Sequence, residues 1–308
     1  MGEGGQGGEY HGRVDPCARL TAGAGNNLQA LACPACGQRT AHRFLYSKHG
    51  CDVLACETCG LGRAVGTPFD PARYYTGEYF QGGRDDGYAD YLGAEGVLRR
   101  EFAGAVALIR RLRPGGRLLE LGCAYGFFLE EAKPYYDVVG IELADDAAAH
   151  GRARGSNIIS GVADAETLAK LGKFDVIVML DVIEHLPDPR ETLSLCERHL
   201  NPGGIIVLTT GDFGSVPARL LGVRWRLMTP PQHLWFFTRQ SMLGFARSFG
   251  LRLERFSHPW KTVSLSLIIY QLQRMLGLPR RAPTAASGVG IPVNLFDAMR
   301  VVLRKPAS

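Results

Sequence analysis

The stretch RLLELGCAYGFFLEEA, residues 117–132, decides the fold. A short apolar run stops at Gly-Cys-Ala-Tyr-Gly and resumes with helical spacing, so it reads as a buried strand that turns on small residues and re-emerges as a helix. Proteins use that geometry to grip nucleotides. NAD, ATP and S-adenosylmethionine all bind turns built this way, so the loop defines a class of ligand and leaves its identity to the neighbours.

Around this stretch helix and strand alternate. Residues 94–112 carry Val97, Phe102, Val106 and Ile109 on one helical stripe, and Pro114-Gly115-Gly116 ends it. After the strand at Leu118 come a helix from Gly126, a strand DVVGIEL, a helix DDAAAHGRA, a short strand NIIS, the run FDVIVML, a helix after Pro189 and the strand GGIIVLTT. Short apolar strands separated by helices predict an α/β fold, a parallel sheet covered on both faces. Near the end, SMLGFARSFG reads as a helix, LRLERF as a strand, and AMRVVLRK as a strand returning antiparallel. Between the last two, TVSLSLIIYQLQRMLG reads as an amphipathic helical insertion over about 261–290 that covers a pocket or makes a subunit contact. Membrane-surface binding is the lesser reading, because a single short basic cluster, Pro279-Arg280-Arg281, flanks it.

With 308 residues, 46% of them apolar, the chain can bury a full core as one large domain with a small appendage. A formal charge of +5 is well short of the concentrated Lys and Arg expected of a chain whose main partner is nucleic acid, and charge alone leaves the partner open. No signal-type opening and no apolar run of roughly 18 residues is present, which predicts a cytoplasmic protein without a transmembrane segment. Residues 1–30 are a Gly-rich tail with too little apolar surface to offset the entropy of ordering, and are expected to be disordered.

The segment 31–63 carries a second strong pattern. CPACG and CETCG place Cys33, Cys36, Cys56 and Cys59 in two Cys-x-x-Cys pairs, a spacing suited to a structural Zn2+ held by four thiolates. The Gly after each pair permits the turn that aims backbone amides at the sulfurs. Four reduced structural cysteines, or a redox pair, are the competing explanation. With its ligand shell closed, such a zinc holds structure and does not activate water. Cys51 has no partner at this spacing and reads as a plain buried thiol. Between Leu31 and Gly62 the net charge is only about +1, too little for a phosphate-binding face, so docking or substrate selection is expected of this ribbon.

In the opening loop, Gly122, Ala124 and Gly126 fall at alternate positions, not in the G-x-G-x-x-G order of a dinucleotide fingerprint. Glu120, at the end of a buried strand, is costly unless a cation compensates it, and S-adenosylmethionine carries an ammonium and a sulfonium. Glu142 ends the next strand, where a carboxylate can accept both ribose hydroxyls; its removal is expected to leave the unliganded fold unchanged.

At these residues the chain resembles the class I S-adenosylmethionine-dependent methyltransferases. FDVIVMLDVIEHLPDP followed by LNPGGIIVLTT is similar to the fourth and fifth strands of that family, with its Glu-His pair and Pro-Gly-Gly turn. The four-cysteine ribbon, YYTGEYF and PPQHLWFFTRQSM narrow the resemblance to members with an N-terminal zinc-binding domain, a subgroup that includes sugar methyltransferases. It implies a Rossmann-like seven-stranded methyltransferase sheet over 113–308, with AMRVVLRK as seventh strand, and an aromatic and helical link, 64–112, covering the cofactor site. Glu120, Gly122, Ala124 and Gly126 would then hold the methionine part of S-adenosyl-L-methionine and Glu142 its ribose. Asp164 would meet the adenine, unless it is a solvent-facing helix cap. Asp181 would line the cofactor or substrate pocket. Tyr75, Tyr79 and Tyr91 either close over the cofactor or pack as core.

The implied chemistry is in-line displacement of a methyl group onto a small-molecule, glycan or nucleotide-sugar acceptor, for which alignment supplies most of the acceleration. Where the acceptor must lose a proton, His185 or His233 is the candidate base. Against this, His185 could be fixing its loop by a backbone hydrogen bond, and His233 could be part of a packed lid. Arg224, Trp225 and Arg226 either engage an anionic acceptor or form a solvated rim. An RNA methyltransferase carrying a zinc ribbon and a nucleotide-dependent oxidoreductase are the competing functions.

Overall fold

The computed structural model describes residues 28–66, 69–75, 77–80, 90–264 and 290–307. The expected disorder of the Gly-rich tail therefore lies almost wholly outside the described residues, as does the body of the insertion.

Four antiparallel strands open the described chain: β1 (Gln29–Cys33), β2 (Gln38–Lys48), β3 (Cys51–Cys56) and β4 (Gly62–Val65). The knuckle glycines take the conformation their turns demand, with φ of +71° at Gly37 and +70° at Gly60. Two short helices, α1 (Pro71–Tyr74) and α2 (Gly77–Phe80), then lead to α3 (Glu95–Leu112).

The larger layer runs through β5 (Arg117–Leu121), α4 (Phe127–Ala132), β6 (Asp137–Glu142), α5 (Asp145–Ala153), β7 (Ile158–Ser160), α6 (Ala165–Leu171), β8 (Phe174–Leu180), α7 (Pro189–Arg198) and β9 (Leu200–Gly211). After α8 (Val216–Leu221) come β10 (Trp235–Phe236), α9 (Arg239–Ser248), β11 (Arg252–Ser257), β12 (Lys261–Ser264), β13 (Gly290–Val293) and β14 (Ala298–Arg304). Seven strands form one sheet in the order β11-β14-β9-β8-β5-β6-β7. β7, β6, β5, β8 and β9 pair in parallel, and β14 lies antiparallel between β9 and β11. The α/β sheet is thus the one expected, down to the returning last strand. Because β6 and β8 flank β5, the strand order reverses there, and the crevice beyond the carboxyl ends of β5 and β8 is where such sheets bind ligands.

Two features were not expected. β10 pairs with β4, Trp235 opposite Arg63 and Phe236 opposite Gly62, so the cysteine ribbon becomes a five-stranded sheet only with a strand from the far side of the chain. One apolar cluster accordingly holds Cys33, Ala35, Cys56, Cys59 and Leu61 together with Leu119, Met179, Phe237 and Phe245. Ribbon and sheet are stabilised by the same buried surface.

The second feature corrects the insertion. Its ends are not helical: β12 pairs antiparallel with β13, from Lys261 opposite Val293 to Ser264 opposite Gly290. Thr262 and Val263 are β-branched and suit extended backbone better than a helix. What the helical reading took for amphipathic spacing begins as the rising arm of a ribbon.

Candidate active site

At the end of β5 the backbone makes three left-handed residues, with φ of +70° at Gly122, +46° at Ala124 and +80° at Gly126. Ala124 occupies this region at a cost of about 1 kcal/mol, and its amide is held in compensation. That amide donates to Glu142 Oε2 at 2.7 Å, while the amide of Ala144 donates to Oε1 at 2.8 Å. Glu142 is 5% exposed and laces the turn after β5 to the turn after β6. Burial raises its carboxyl above the usual range, with the two amides pulling the other way. The expectation that the unliganded fold is indifferent to Glu142 is therefore corrected: removing the carboxylate leaves two amides without their partner. Each oxygen keeps a further lone pair for a hydroxyl.

Glu120 is 3% exposed, and its Oε2 has no hydrogen-bond partner among the described residues. Burial drives its carboxyl well up, and the charge of Glu142 adds to this. A buried carboxylate in this state fits a cationic ligand group, which would supply the missing partner.

A Cβ on Gly122 would lie 2.6 Å from Val182 Cγ2. Gly122→Ala is therefore expected to lower stability by about 1–3 kcal/mol through strain and overlap together. Adding Val182→Ala should restore only the part due to overlap, as thermal melting of the single and double variants would resolve.

Asp164 caps α6, its Oδ1 accepting from the amide of Thr167 at 2.8 Å. Asp181, at φ +55°, accepts through Oδ1 from the Thr209 hydroxyl at 3.1 Å and pairs through Oδ2 with Lys261. Burial pushes its carboxyl up, yet Lys261, Thr209 and Arg226 together hold it below its usual range. Lys261, the first residue of β12, also lies 4.0 Å from Glu101 of α3. No motif announces this lysine, since the ribbon fold that delivers it is invisible in the local sequence.

After β8, a turn of 3-10 helix over Ile183–His185 brings His185 against His233, ring centroids 4.7 Å apart. Nδ1 of His185 lies 2.9 Å from the carbonyl of Gln232, and Nδ1 of His233 lies 2.8 Å from the carbonyl of Leu227. A carbonyl only accepts, so each Nδ1 carries the proton and each Nε2 keeps its lone pair. The loop-fixing hydrogen bond and an unprotonated nitrogen thus coexist in each ring. Burial lowers His185 to about 4 and, with His185 as neighbour, His233 to about 3.

Glu184, which the sequence reading used only as part of a motif, is 3% exposed with Oε2 unpartnered among the described residues. Burial and then the charge of Asp181 push its carboxyl up to about 8. Its place between buried Ile183 and His185, just after an apolar strand, was the available signal.

The aromatic link divides. Tyr79 and Tyr91 are buried among Tyr74, Phe80, Tyr125 and Phe127, whereas Tyr75 meets the His185 ring edge-on at 5.5 Å. Arg226 does not await an acceptor, because it forms a two-pronged pair with Asp297 at 2.8 Å in both bonds. Trp225 is buried and donates to the same carboxylate, leaving Arg224 exposed.

In the ribbon, Cys33 Sγ lies 3.6 Å from Cys59 Sγ and Cys36 Sγ 3.9 Å from Cys56 Sγ, and the four sulfurs lie within 4.8 Å of one another. Sulfurs bound tetrahedrally at about 2.3 Å sit roughly 3.8 Å apart, so the donor set fits zinc. Cys51, Cys123 and Cys196 are free and buried.

Comparison with known proteins bears on this crevice. A family profile described as "Methyltransferase domain" matches residues 95–255. Ubiquinone biosynthesis O-methyltransferase of Methylococcus capsulatus is 33% identical over 145 residues, covering 45% of this chain and 59% of that protein. The protein of the same name from Xanthomonas axonopodis pv. citri is 30% identical over 196 residues, covering 57% of this chain and 79% of its own. With coverages of 59% and 60%, the chain spans about three-fifths of the length of the Methylococcus relative and of one from Cereibacter sphaeroides. Among solved structures, an S-adenosylmethionine-dependent methyltransferase of Thermotoga maritima, described as a possible histamine N-methyltransferase, aligns at TM-score 0.45 and 20% identity, over 69% of this chain and 90% of that one.

Proposed function

From the premise that the chain belongs to the methyltransferase-domain family, we propose that it is an S-adenosylmethionine-dependent methyltransferase acting on a hydroxyl of a small-molecule acceptor. The observation that carries this reading is the buried carboxylate of Glu120 at the mouth of the left-handed turn, whose Oε2 has no hydrogen-bond partner among the described residues. The relatives' names support an oxygen acceptor. The four-cysteine ribbon and the sequence resemblance to methyltransferases with an N-terminal zinc-binding domain, a subgroup that includes sugar methyltransferases, favour a glycan or nucleotide-sugar, and a quinone precursor is the acceptor class that the relatives' names bring in.

When bound, S-adenosylmethionine supplies an electrophilic methyl carbon on a sulfonium, whose sulfur departs readily as a neutral thioether. Glu120 would take the ammonium, and the left-handed turn from Gly122 through Ala124 to Gly126 would let the backbone approach the methionine part. Glu142 would accept ribose hydroxyls on its remaining lone pairs, and Asp164 would reach the adenine with the oxygen that does not cap α6. Asp181 would line the transfer chamber, held in place by Lys261 and Thr209. The Nε2 atom of His185 or of His233 would receive the acceptor's proton, both rings already oriented by carbonyl bonds. Cys33, Cys36, Cys56 and Cys59 would hold zinc as a structural element of the ribbon.

The test pairs binding with transfer. Glu120→Gln keeps shape and removes charge, and should weaken S-adenosylhomocysteine binding roughly tenfold or more in calorimetric titration. Labelled S-adenosylmethionine screened against nucleotide-sugars, glycans, quinone precursors and RNA should mark a small hydroxylated molecule. Unchanged affinity in Glu120→Gln, or labelling of RNA alone, would count against this function.

A further inference from the structure

We propose that Glu184, His185 and His233 form a binding site for a first-row divalent transition-metal ion, distinct from the four-cysteine ribbon. One ligand atom from each of the three residues lies within 4.8 Å of the other two. Octahedral or tetrahedral sites with bonds near 2.1 Å need roughly 3.0 to 3.5 Å between donors, so atoms that lie within 4.8 Å of one another close by at most roughly 1.3 to 1.8 Å when an ion binds.

The donors are prepared for such an ion. Both imidazoles give Nδ1–H to a backbone carbonyl, the outer bond that metal-binding histidines use to fix ring orientation and leave Nε2 as the ligand. The two backbone segments are tied to each other: the amide of Leu234 donates to the carbonyl of Glu184 at 2.9 Å, and His185 reaches back to the carbonyl of Gln232. Glu184 brings a buried carboxylate whose Oε2 has no partner among the described residues, although its other polar neighbour, the Thr210 hydroxyl, is in place. Of the first two acids after β8, Asp181 is ion-paired with Lys261, whereas Glu184 feels Lys261 only through its field and has no ion pair of its own among the described residues. An ion between the histidines would be its paired cation.

Two imidazole nitrogens and one carboxylate suit Zn2+, Fe2+, Co2+ or Mn2+ and disfavour Mg2+ or Ca2+, which prefer oxygen donors throughout. Three protein ligands leave coordination positions open, unlike the closed set of four sulfurs. With an ion bound, the histidines act as ligands and not as proton acceptors. A hydroxyl of the acceptor on an open position would then lose its proton to water, its O–H electron pair staying on oxygen. Only this last step rests on the transferase reading.

Mn2+ separates the two sites, because it favours nitrogen and oxygen over thiolate. Titration of the full-length chain with Mn2+, followed by electron paramagnetic resonance, should show about one bound ion per chain. Glu184→Gln and His233→Asn should each weaken it at least about tenfold. Co2+ should show two optical signatures, one with thiolate charge transfer and one without. His233→Gln, with circular dichroism melting, guards against a variant that simply misfolds. If the wild-type chain takes up Mn2+ and Co2+ only with thiolate signatures, or if folded Glu184 and His233 variants bind as the wild type does, the proposal is overturned. Neither result depends on whether methyl transfer is seen.

Discussion

Glu142→Ala is expected to weaken S-adenosylhomocysteine binding by tens- to several-hundredfold and to melt earlier without ligand. The first effect rests on the proposed ribose contact, in which two charge-assisted bonds to the hydroxyls would be lost, roughly 2 to 4 kcal/mol. The second follows from the backbone. With the carboxylate gone, the amides of Ala124 and Ala144 are left without the acceptor they use, each a loss of about 1 to 3 kcal/mol if no water replaces it. Ala124 then keeps its left-handed strain with nothing to offset it. Glu142→Asp should lie between, because charge is kept while reach is shortened by a methylene. Calorimetric titration and scanning calorimetry read the two effects separately. Wild-type affinity in Glu142→Ala would mean that the ribose is held elsewhere.

Cys36→Ser or Cys59→Ser should abolish zinc retention and lower the melting temperature of the whole chain, not of the ribbon alone. Structural zinc in small thiolate sites is linked to folding by about 10 to 16 kcal/mol, so even a fraction of that is large beside a domain's net stability. The loss spreads because Cys33, Cys56 and Cys59 share one apolar cluster with Leu119, Met179 and Phe245. It spreads also along hydrogen bonds: the Thr238 hydroxyl donates to the carbonyl of Cys59 at 2.9 Å, and Arg190 donates to the carbonyl of Pro34 at 2.9 Å. A single shifted calorimetric transition is the expected result. Purified wild-type chain, prepared without chelator and carrying no zinc, would refute the assignment.

The legible parts of this protein are those in which local chemistry and tertiary demand agree. Val176–Met179 is apolar because that part of β8 is covered on both faces, and the two Cys-x-x-Cys pairs are close in sequence because each pair turns within one knuckle. Glu142 was found as a strand-end acid, yet its bonds to Ala124 and Ala144 depend on two loops meeting, which spacing does not encode. Lys261 stands near Asp181 as the first residue of β12, whose strand partner β13 lies a long interval further along the chain. The pairing of β10 with β4 escaped for a related reason: two residues, Trp235 and Phe236, are too few to show a period.

That last pairing bears on how the chain is made. Synthesis delivers β1 to β4 early, while Trp235 and Phe236 follow only after most of the large sheet has been translated. Until then the outer edge of β4 stands open beside apolar side chains, a template for strand addition by any neighbour. A fragment ending before β10 leaves that edge uncovered and is expected to aggregate where the full-length chain does not, as light scattering would show.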